Sequence, residues 1–127
     1  MITYRPNEAV PGEDLVSLGS PDVLGGRVLS GNPEISARID FQERDVTAGV
    51  FQATTGSIEV TFPFTEHATI LSGVVRITDS QGFAHTYAPG ESYVIEEGDM
   101  VIWEVVTEFV QKSFLHVKGR APLARPS

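Results

Sequence analysis

The sequence contains no cysteine, and this absence excludes several chemistries at once. Without a thiol the chain can form neither disulfides nor thiolate metal sites, and it has no cysteine nucleophile. Histidine is also scarce, with only His67, His85 and His116. No two of them have the i, i+2 spacing of a strand or the i, i+4 spacing of a helix that would bring two imidazoles to one ion. The residues therefore predict no bound metal and no cofactor.

Basic residues are few: nine Lys and Arg stand against seventeen Asp and Glu, which gives a net charge of −8. Binding to nucleic acid or to an anionic membrane surface depends on clustered positive charge. No run approaches the roughly 20 apolar residues of a membrane span. The opening MITYRPNEAV lacks the basic and apolar regions of a secretion signal. We therefore expect no nucleic-acid partner, no membrane association and a location in the cytoplasm.

A convincing amphipathic helix is missing too, whereas apolar and polar residues alternate in many short segments. Residues 56–73 predict two strands joined at Pro63, since Ile58, Val60 and Phe62 alternate with polar neighbours. Turn residues separate such segments at the short intervals that are typical of an antiparallel β-sandwich or barrel. The sequence therefore predicts an all-β fold.

Turn signals also set the expected ends of individual strands. Thr54-Thr55-Gly56 is predicted to turn the chain back after a strand over residues 48–53. Residues 100–106 and 109–117 are predicted as two separate strands. At 127 residues the chain predicts one domain.

We divide that domain into three parts. Residues 1–25 are rich in proline, glycine and acidic residues and are expected to form an extended N-terminal arm. Residues 26–118 contain the predicted barrel strands, and residues 119–127 are expected to form a C-terminal tail.

Several short segments together resemble the cupin superfamily. Glu66 and Gly73, with six residues between them, resemble the closing E-x6-G of the first cupin motif. Gly90 and Gly98 have the spacing of the glycines of the second motif. With further segments between residues 29 and 117, the chain most resembles the ureidoglycine aminohydrolase-like cupin family, which includes ethanolamine-utilisation cupins. The resemblance implies a single-domain double-stranded β-helix, the jelly-roll barrel of the cupins.

The chain departs from that family at the usual metal-ligand positions. The histidine positions of the first motif fall on Val60 and Phe62, or on Glu59 and Thr61 with a spacing longer by one residue. The histidine position of the second motif is also a valine. Of the four usual ligands only Glu66 is kept, so the resemblance does not extend to the metal-dependent hydrolase activity.

Glu66 is the candidate catalytic residue. A carboxylate in an otherwise apolar strand is costly to bury unless it is paired, liganded or protonated. It is interpreted as an acid/base or ligand-binding group whose pKa is raised by apolar neighbours. The alternative is a structural carboxylate, paired with Arg76 or Lys112 or half solvated, and the sequence leaves both interpretations open.

The predicted ligand-binding residues are Phe51, Val60, Phe62, Val101 and Trp103. The resemblance implies that these side chains face the barrel interior, where apolar residues replace imidazoles. They would line a dry pocket, with Trp103 as a stacking wall, or they would simply fill the barrel as core.

The leading hypothesis for function is a metal-independent site in the barrel that binds or transforms a small polar metabolite. One alternative is a non-catalytic sensor or accessory cupin, and another is a metal-dependent enzyme related to ureidoglycine aminohydrolase. Whether the protein is an enzyme stays open at this point. Leu71 lies on the strand face opposite Glu66 and would need cover outside the barrel, so a homodimer is expected.

Overall fold

The computed structural model describes residues 1–119, which fold into nine β-strands and two short 3₁₀ helices, Gly12–Asp14 and Pro21–Leu24. The strands are β1 (Val16–Gly19), β2 (Arg27–Gly31), β3 (Ile35–Glu43), β4 (Val46–Thr61), β5 (Thr65–Ser72), β6 (Val75–Thr78), β7 (Ala84–Tyr87), β8 (Ser92–Ile95) and β9 (Met100–Val117). All strand pairs are antiparallel. The predicted all-β fold is therefore confirmed, and the predicted link at Pro63 lies between β4 and β5.

β4 and β9 form the central ribbon of the fold. They pair over nearly their whole lengths, with one irregularity between Thr54 and Gly56. The turn predicted at residues 54–56 is therefore wrong, because the chain continues as one strand through a bulge. The two strands predicted over residues 100–106 and 109–117 are likewise a single strand. A bulge keeps both strands paired while it bends them, which a turn would not do.

Gly56 shows why this bulge resembles a turn in the sequence. Its φ is +151°, in the region that favours glycine. A Cβ at this position would lie 2.7 Å from Cδ of Pro33 and 2.9 Å from the carbonyl oxygen of Ser30. The glycine is thus required by close backbone packing and positive φ, both of which also occur in turns.

The bulge divides the ribbon into two halves that join different strands. The first half of β4 pairs with β3, and the second half of β9 pairs with β5. On the other side of the bulge, β4 pairs with β2 and β9 with β6. One buried apolar cluster contains Ala53 and Ile70 from one side of the bulge and Ile58 and Trp103 from the other side. The sheet therefore folds back on itself around a single core, as in a jelly roll.

The N-terminal residues pack against the outer face of the sheet. Leu15, Val50 and Leu71 form a second buried apolar cluster there. The side-chain amide of Gln111 makes two hydrogen bonds to the backbone of Val10. It accepts from the N–H at 2.7 Å and donates to the carbonyl at 2.7 Å. Leu71 is 1% exposed, so the cover that we expected from a partner subunit comes from the same chain. The homodimer itself stays a prediction.

The predicted domain boundaries also stay predictions. Within the arm assigned to residues 1–25, Val16–Gly19 forms β1 and pairs with β3. Apart from Gly119, the predicted tail lies outside the described residues. The helices within residues 1–119 are two 3₁₀ segments, and neither has the length of a membrane span.

Candidate functional site

Glu66 lies on the interior face of β5 and is 1% exposed. Its Oε2 accepts hydrogen bonds from Lys112 Nζ at 2.8 Å and from the Tyr93 hydroxyl at 3.1 Å. Its Oε1 lies 2.6 Å from Nε2 of His116. Of the two cations considered from the sequence, Lys112 is therefore the partner, whereas the side chain of Arg76 is exposed on β6.

Strand register brings these residues together. β5 pairs with β9 so that Glu66 is opposite His116, and Lys112 and His116 share the interior face of β9 because they are four residues apart. Tyr93 comes from β8, which pairs with the other edge of β5. Neither His116 nor Tyr93 was predicted from the sequence as a partner of Glu66. The alternation Lys112–Phe114–His116 was a usable signal, since Phe114 indicates which face is buried.

The charge state of Glu66 follows from two opposing effects. Burial by itself raises the pKa of this carboxyl, but the Lys112 charge and the His116 hydrogen bond outweigh it and lower the pKa to about 2. The raised pKa expected from the sequence is therefore wrong. At neutral pH the side chain is an ionised acceptor, so it has no proton to give as a general acid.

Tyr93 remains a hydrogen-bond donor. Burial, together with the nearby Glu66 charge, raises the pKa of the Tyr93 phenol well above its usual value. The indole of Trp103 opposes this rise but does not meet the hydroxyl in hydrogen-bond geometry. In the described part of the chain, Nε1 of Trp103 is the one buried side-chain nitrogen or oxygen without a hydrogen-bond partner.

Lys112 sits among aromatic rings. Its Nζ lies 4.9 Å from the ring centroid of Trp103 and 5.0 Å from that of Phe51. The Tyr93 and Phe62 centroids are 5.7 and 6.0 Å away. Ring faces attract cations, and each such contact contributes roughly 0.5–2 kcal/mol, more where water is excluded. The rings and the Glu66 carboxylate thus compensate the ammonium for its lost hydration.

His116 is held between two rings, with centroid distances of 3.6 Å to Phe64 and 4.2 Å to Phe114. Because ionised Glu66 can only accept, the neutral imidazole carries its proton on Nε2. Its lone pair is then on Nδ1, which has no hydrogen-bond partner among residues 1–119. Glu66 therefore fixes the orientation of the His116 ring, so that Nδ1 is a proton acceptor in a defined position.

A cavity of about 140 Å³ opens beside this cluster. Four of the five predicted ligand-binding residues line it: Phe51, Val60, Phe62 and Trp103. Val101 is buried in the core and does not line the cavity. The barrel is therefore neither completely filled nor widely open.

The cavity wall is apolar except at one end. Fourteen residues line it, and only Glu66, Lys112 and His116 among them carry a charged or titratable side chain. Dry apolar cavities of about 150 Å³ are large enough for a molecule the size of benzene. The site is thus suited to a small, mainly apolar molecule whose polar group faces the cluster.

The residues do not fit the metal ion that the wider cupin superfamily suggests. Both Glu66 oxygens are engaged, one by the Lys112 ammonium and one by His116. A cation bound there would displace the ammonium or be repelled by it. Val60 and Phe62 offer no ligand atoms, and no group of three or more His, Cys, Asp or Glu residues within residues 1–119 could hold a metal.

Comparison with solved structures shows which proteins share this fold. The EutQ protein of Clostridium difficile superposes with a TM-score of 0.64 at 12% identity, over 87% of this chain and 81% of that one. A putative ethanolamine utilization protein Q from Salmonella typhimurium LT2 gives 0.60 at 15% identity, over 84% and 95%. A DUF861-family protein of unknown function from Pseudomonas syringae pv. tomato gives 0.73 at 18% identity, over 89% and 46%. At such identities the likeness shows the fold alone.

Sequence comparison adds the family. A search of curated proteins gave no match. The family model of the EutQ-like cupin domain matches residues 41–114, which is more than half of the chain and includes Glu66, Tyr93, Trp103 and Lys112. Neither comparison distinguishes the ureidoglycine aminohydrolase-like branch that the sequence suggested. The match and the jelly-roll fold together show that this chain belongs to the EutQ-like cupin domain family of the cupin superfamily.

Proposed function

We propose that the barrel interior is a metal-independent binding site for a small molecule. The observation that carries this proposal is the cavity of about 140 Å³, whose apolar wall ends at the buried cluster of Glu66, Lys112 and His116. Small-molecule sites typically combine an apolar wall with a few convergent polar groups. A barrel filled as core would lack such a space.

The lining narrows the class of ligand. The sequence suggested a small polar metabolite, whereas the cavity wall favours a ligand that is mainly apolar with one polar group. Lys112 and His116 are the groups that would meet that polar group, because both line the cavity. Glu66 serves in this proposal as the ionised anchor that orients both of them, and any proton transfer would go through His116.

A non-catalytic sensor or accessory protein is the second candidate. It is favoured by the complete pairing of Glu66, since both carboxylate oxygens already have partners within the protein. A compound that binds the cavity without being converted supports this candidate. A metal-dependent hydrolase related to ureidoglycine aminohydrolase is disfavoured by the donor set described above.

Two further expectations belong to the proposal. A cytoplasmic location is supported by the lack of cysteine, because disulfides are typical of proteins in oxidising compartments. A homodimer is supported by exposed apolar side chains on the outer face of the sheet, including Phe41 at 45%, Val94 at 61% and Leu115 at 41% exposure.

The test is a thermal-shift screen of small uncharged ring compounds, on protein purified without a histidine tag. A compound that binds the folded state raises the unfolding temperature, and the shift increases with the affinity and the concentration of the compound. Val60→Trp fills the cavity and should abolish the shift. The matched control Val106→Trp makes the same change on an exposed strand position and should keep it. The proposal fails if no compound binds, or if binding survives in Val60→Trp.

A further inference from the structure

We propose that Lys112 recognises the ligand by donating one N–H of its ammonium to a carbonyl oxygen, and that the ligand carries no net charge. This inference rests on the proposed binding site and specifies the chemistry that the site accepts.

One N–H of the Lys112 ammonium has no acceptor among residues 1–119. An ammonium group has three N–H donors and no acceptor. Two of those on Lys112 are used, by Glu66 Oε2 at 2.8 Å and by the Tyr93 hydroxyl at 3.1 Å. No third acceptor for Nζ occurs among residues 1–119, and the remaining neighbours in contact with the ammonium are ring faces. Because Lys112 also lines the cavity, an acceptor atom of a ligand could take the third N–H.

The charges beside the cavity restrict the net charge of the ligand. The carboxylate of Glu66 and the ammonium of Lys112 already balance each other as a buried pair. A ligand carboxylate would place a second anion near Glu66, and a ligand amine would place a second cation near Lys112. Charges of like sign repel strongly where the surroundings are apolar, and an uncompensated buried charge is costly. The cavity therefore favours an uncharged ligand.

The hydrogen-bonding groups beside the cavity also favour one kind of acceptor. A hydroxyl group brings a donor with its oxygen, and that donor must find an acceptor of its own in the cavity. Both oxygens of Glu66 are already engaged, so the acceptor left for it is Nδ1 of His116, which also lines the cavity. A carbonyl oxygen brings acceptor capacity alone, so it takes the open N–H of Lys112 without needing that second partner. The rest of the wall is apolar, so the remainder of the ligand is expected to be hydrocarbon.

The experiment compares cyclohexanone with methylenecyclohexane, in which a CH₂ group replaces the oxygen. Trp103 is the only tryptophan and lines the cavity, so its indole N–H signal in NMR reports occupancy. All binding measurements use the same buffer at pH 8. A hydrogen bond to a charged group is stronger than one between neutral groups. We therefore expect the ratio of ketone affinity to alkene affinity to be about tenfold higher in the native protein than in Glu66→Gln/Lys112→Met. That double variant removes both charges together, so no charge is left unpaired.

The control is Glu108→Gln/Lys118→Met, which makes the same two changes at exposed positions and should keep the native ratio. If Glu66→Gln/Lys112→Met does not unfold cooperatively, the test is the infrared stretching frequency of the carbonyl group of cyclohexanone bound to the native protein. It is expected at lower frequency than in water-free apolar solvent, and an unshifted stretch overturns the proposal.

The remaining outcomes separate this inference from the proposed function. Equal ratios in the native protein and the barrel variant show that the cavity binds ligands but that Lys112 does not recognise the carbonyl. Tighter binding of cyclohexanol, cyclohexanecarboxylate or cyclohexylamine than of cyclohexanone overturns the uncharged carbonyl as the ligand class. If neither the ketone nor the hydrocarbon binds, the proposed site itself is wrong and this inference fails with it.

Discussion

The ammonium nitrogen of Lys112 lies 2.8 Å from Oε2 of Glu66, and both side chains are buried, with 6% and 2% of their side-chain surfaces exposed. Neither charge has access to bulk water, so each depends on the other for compensation. Tyr93 and His116 complete the hydrogen bonding of the carboxylate. The stability of the barrel interior therefore depends on this pair as a unit.

Glu66→Gln should destabilise the fold by about 3–5 kcal/mol, because it leaves the Lys112 charge buried without its counter-ion. Glu66→Gln/Lys112→Met should recover much of that loss, since no buried charge is left. Chemical denaturation measures both values. The exposed pair of Arg27 and Glu59 offers the control, since the Arg27 side chain is 71% exposed. Glu59→Gln should cost less than about 1 kcal/mol, and an equal cost for Glu66→Gln would contradict the prediction.

Acid should weaken the protein through the same carboxyl group. The pKa of Glu66 is lowered from 4.5 to about 2, so the unfolded chain takes up a proton at a pH where the folded protein does not. The stability from this group is fully present above pH 4.5 and is lost as the pH falls towards 2. Denaturation at pH 6 and pH 3 should show a smaller acid loss for Glu66→Gln/Lys112→Met. Identical losses in the two proteins would exclude Glu66 as the cause.

Gln111→Leu should release the N-terminal residues from the sheet. The buried Gln111 amide makes two hydrogen bonds to the backbone of Val10 and one to Gln52. At roughly 0.5–1.5 kcal/mol for each of these three bonds, the expected loss is about 1.5–4.5 kcal/mol. Amide hydrogen exchange should become faster in residues 1–15, whereas Gln42→Leu at an exposed position should leave it unchanged. Unaltered protection near Val10 would show that Leu15 and its apolar neighbours hold the segment by themselves.

Leu115→Glu should convert the proposed homodimer into a monomer. Leu115 is opposite His67 on β5, and His67 is opposite Val94 on β8, so these residues form a row across the outer face of the sheet. A charge in the middle of an apolar contact would be desolvated without a partner. Light scattering measures the mass, and Val106→Glu, at an exposed position in the other half of β9, is the control. A native protein that is monomeric at every concentration would remove the dimer from the proposal.

Much of the fold could be predicted because strand periodicity is local. Ile58 and Phe62 are buried at alternate positions, and Val60 between them lines the cavity, as the sequence indicated. The bulge at Gly56 was mistaken for a turn because both need a glycine with positive φ. Only the pairing of β4 with β9 beyond that point separates the two, and pairing is a property of residues far apart in the chain.

The candidate site was predictable only in part. Glu66 and four of the lining residues could be identified from their positions in strands together with the resemblance to cupins. His116 could not, because its role depends on the register that sets it opposite Glu66. The cavity could not be predicted either, because the volume left inside a barrel depends on how all its side chains pack together.

The sequence by itself determined that this chain forms an all-β barrel and that a single acidic residue, Glu66, falls on a strand face that is otherwise apolar. Only the tertiary structure decided that this acid is ionised. The reason is that its partners Tyr93, Lys112 and His116 lie 27, 46 and 50 residues further along the chain. Burial and charge act in opposite directions on a carboxyl group, and only the folded arrangement of those distant side chains sets the balance.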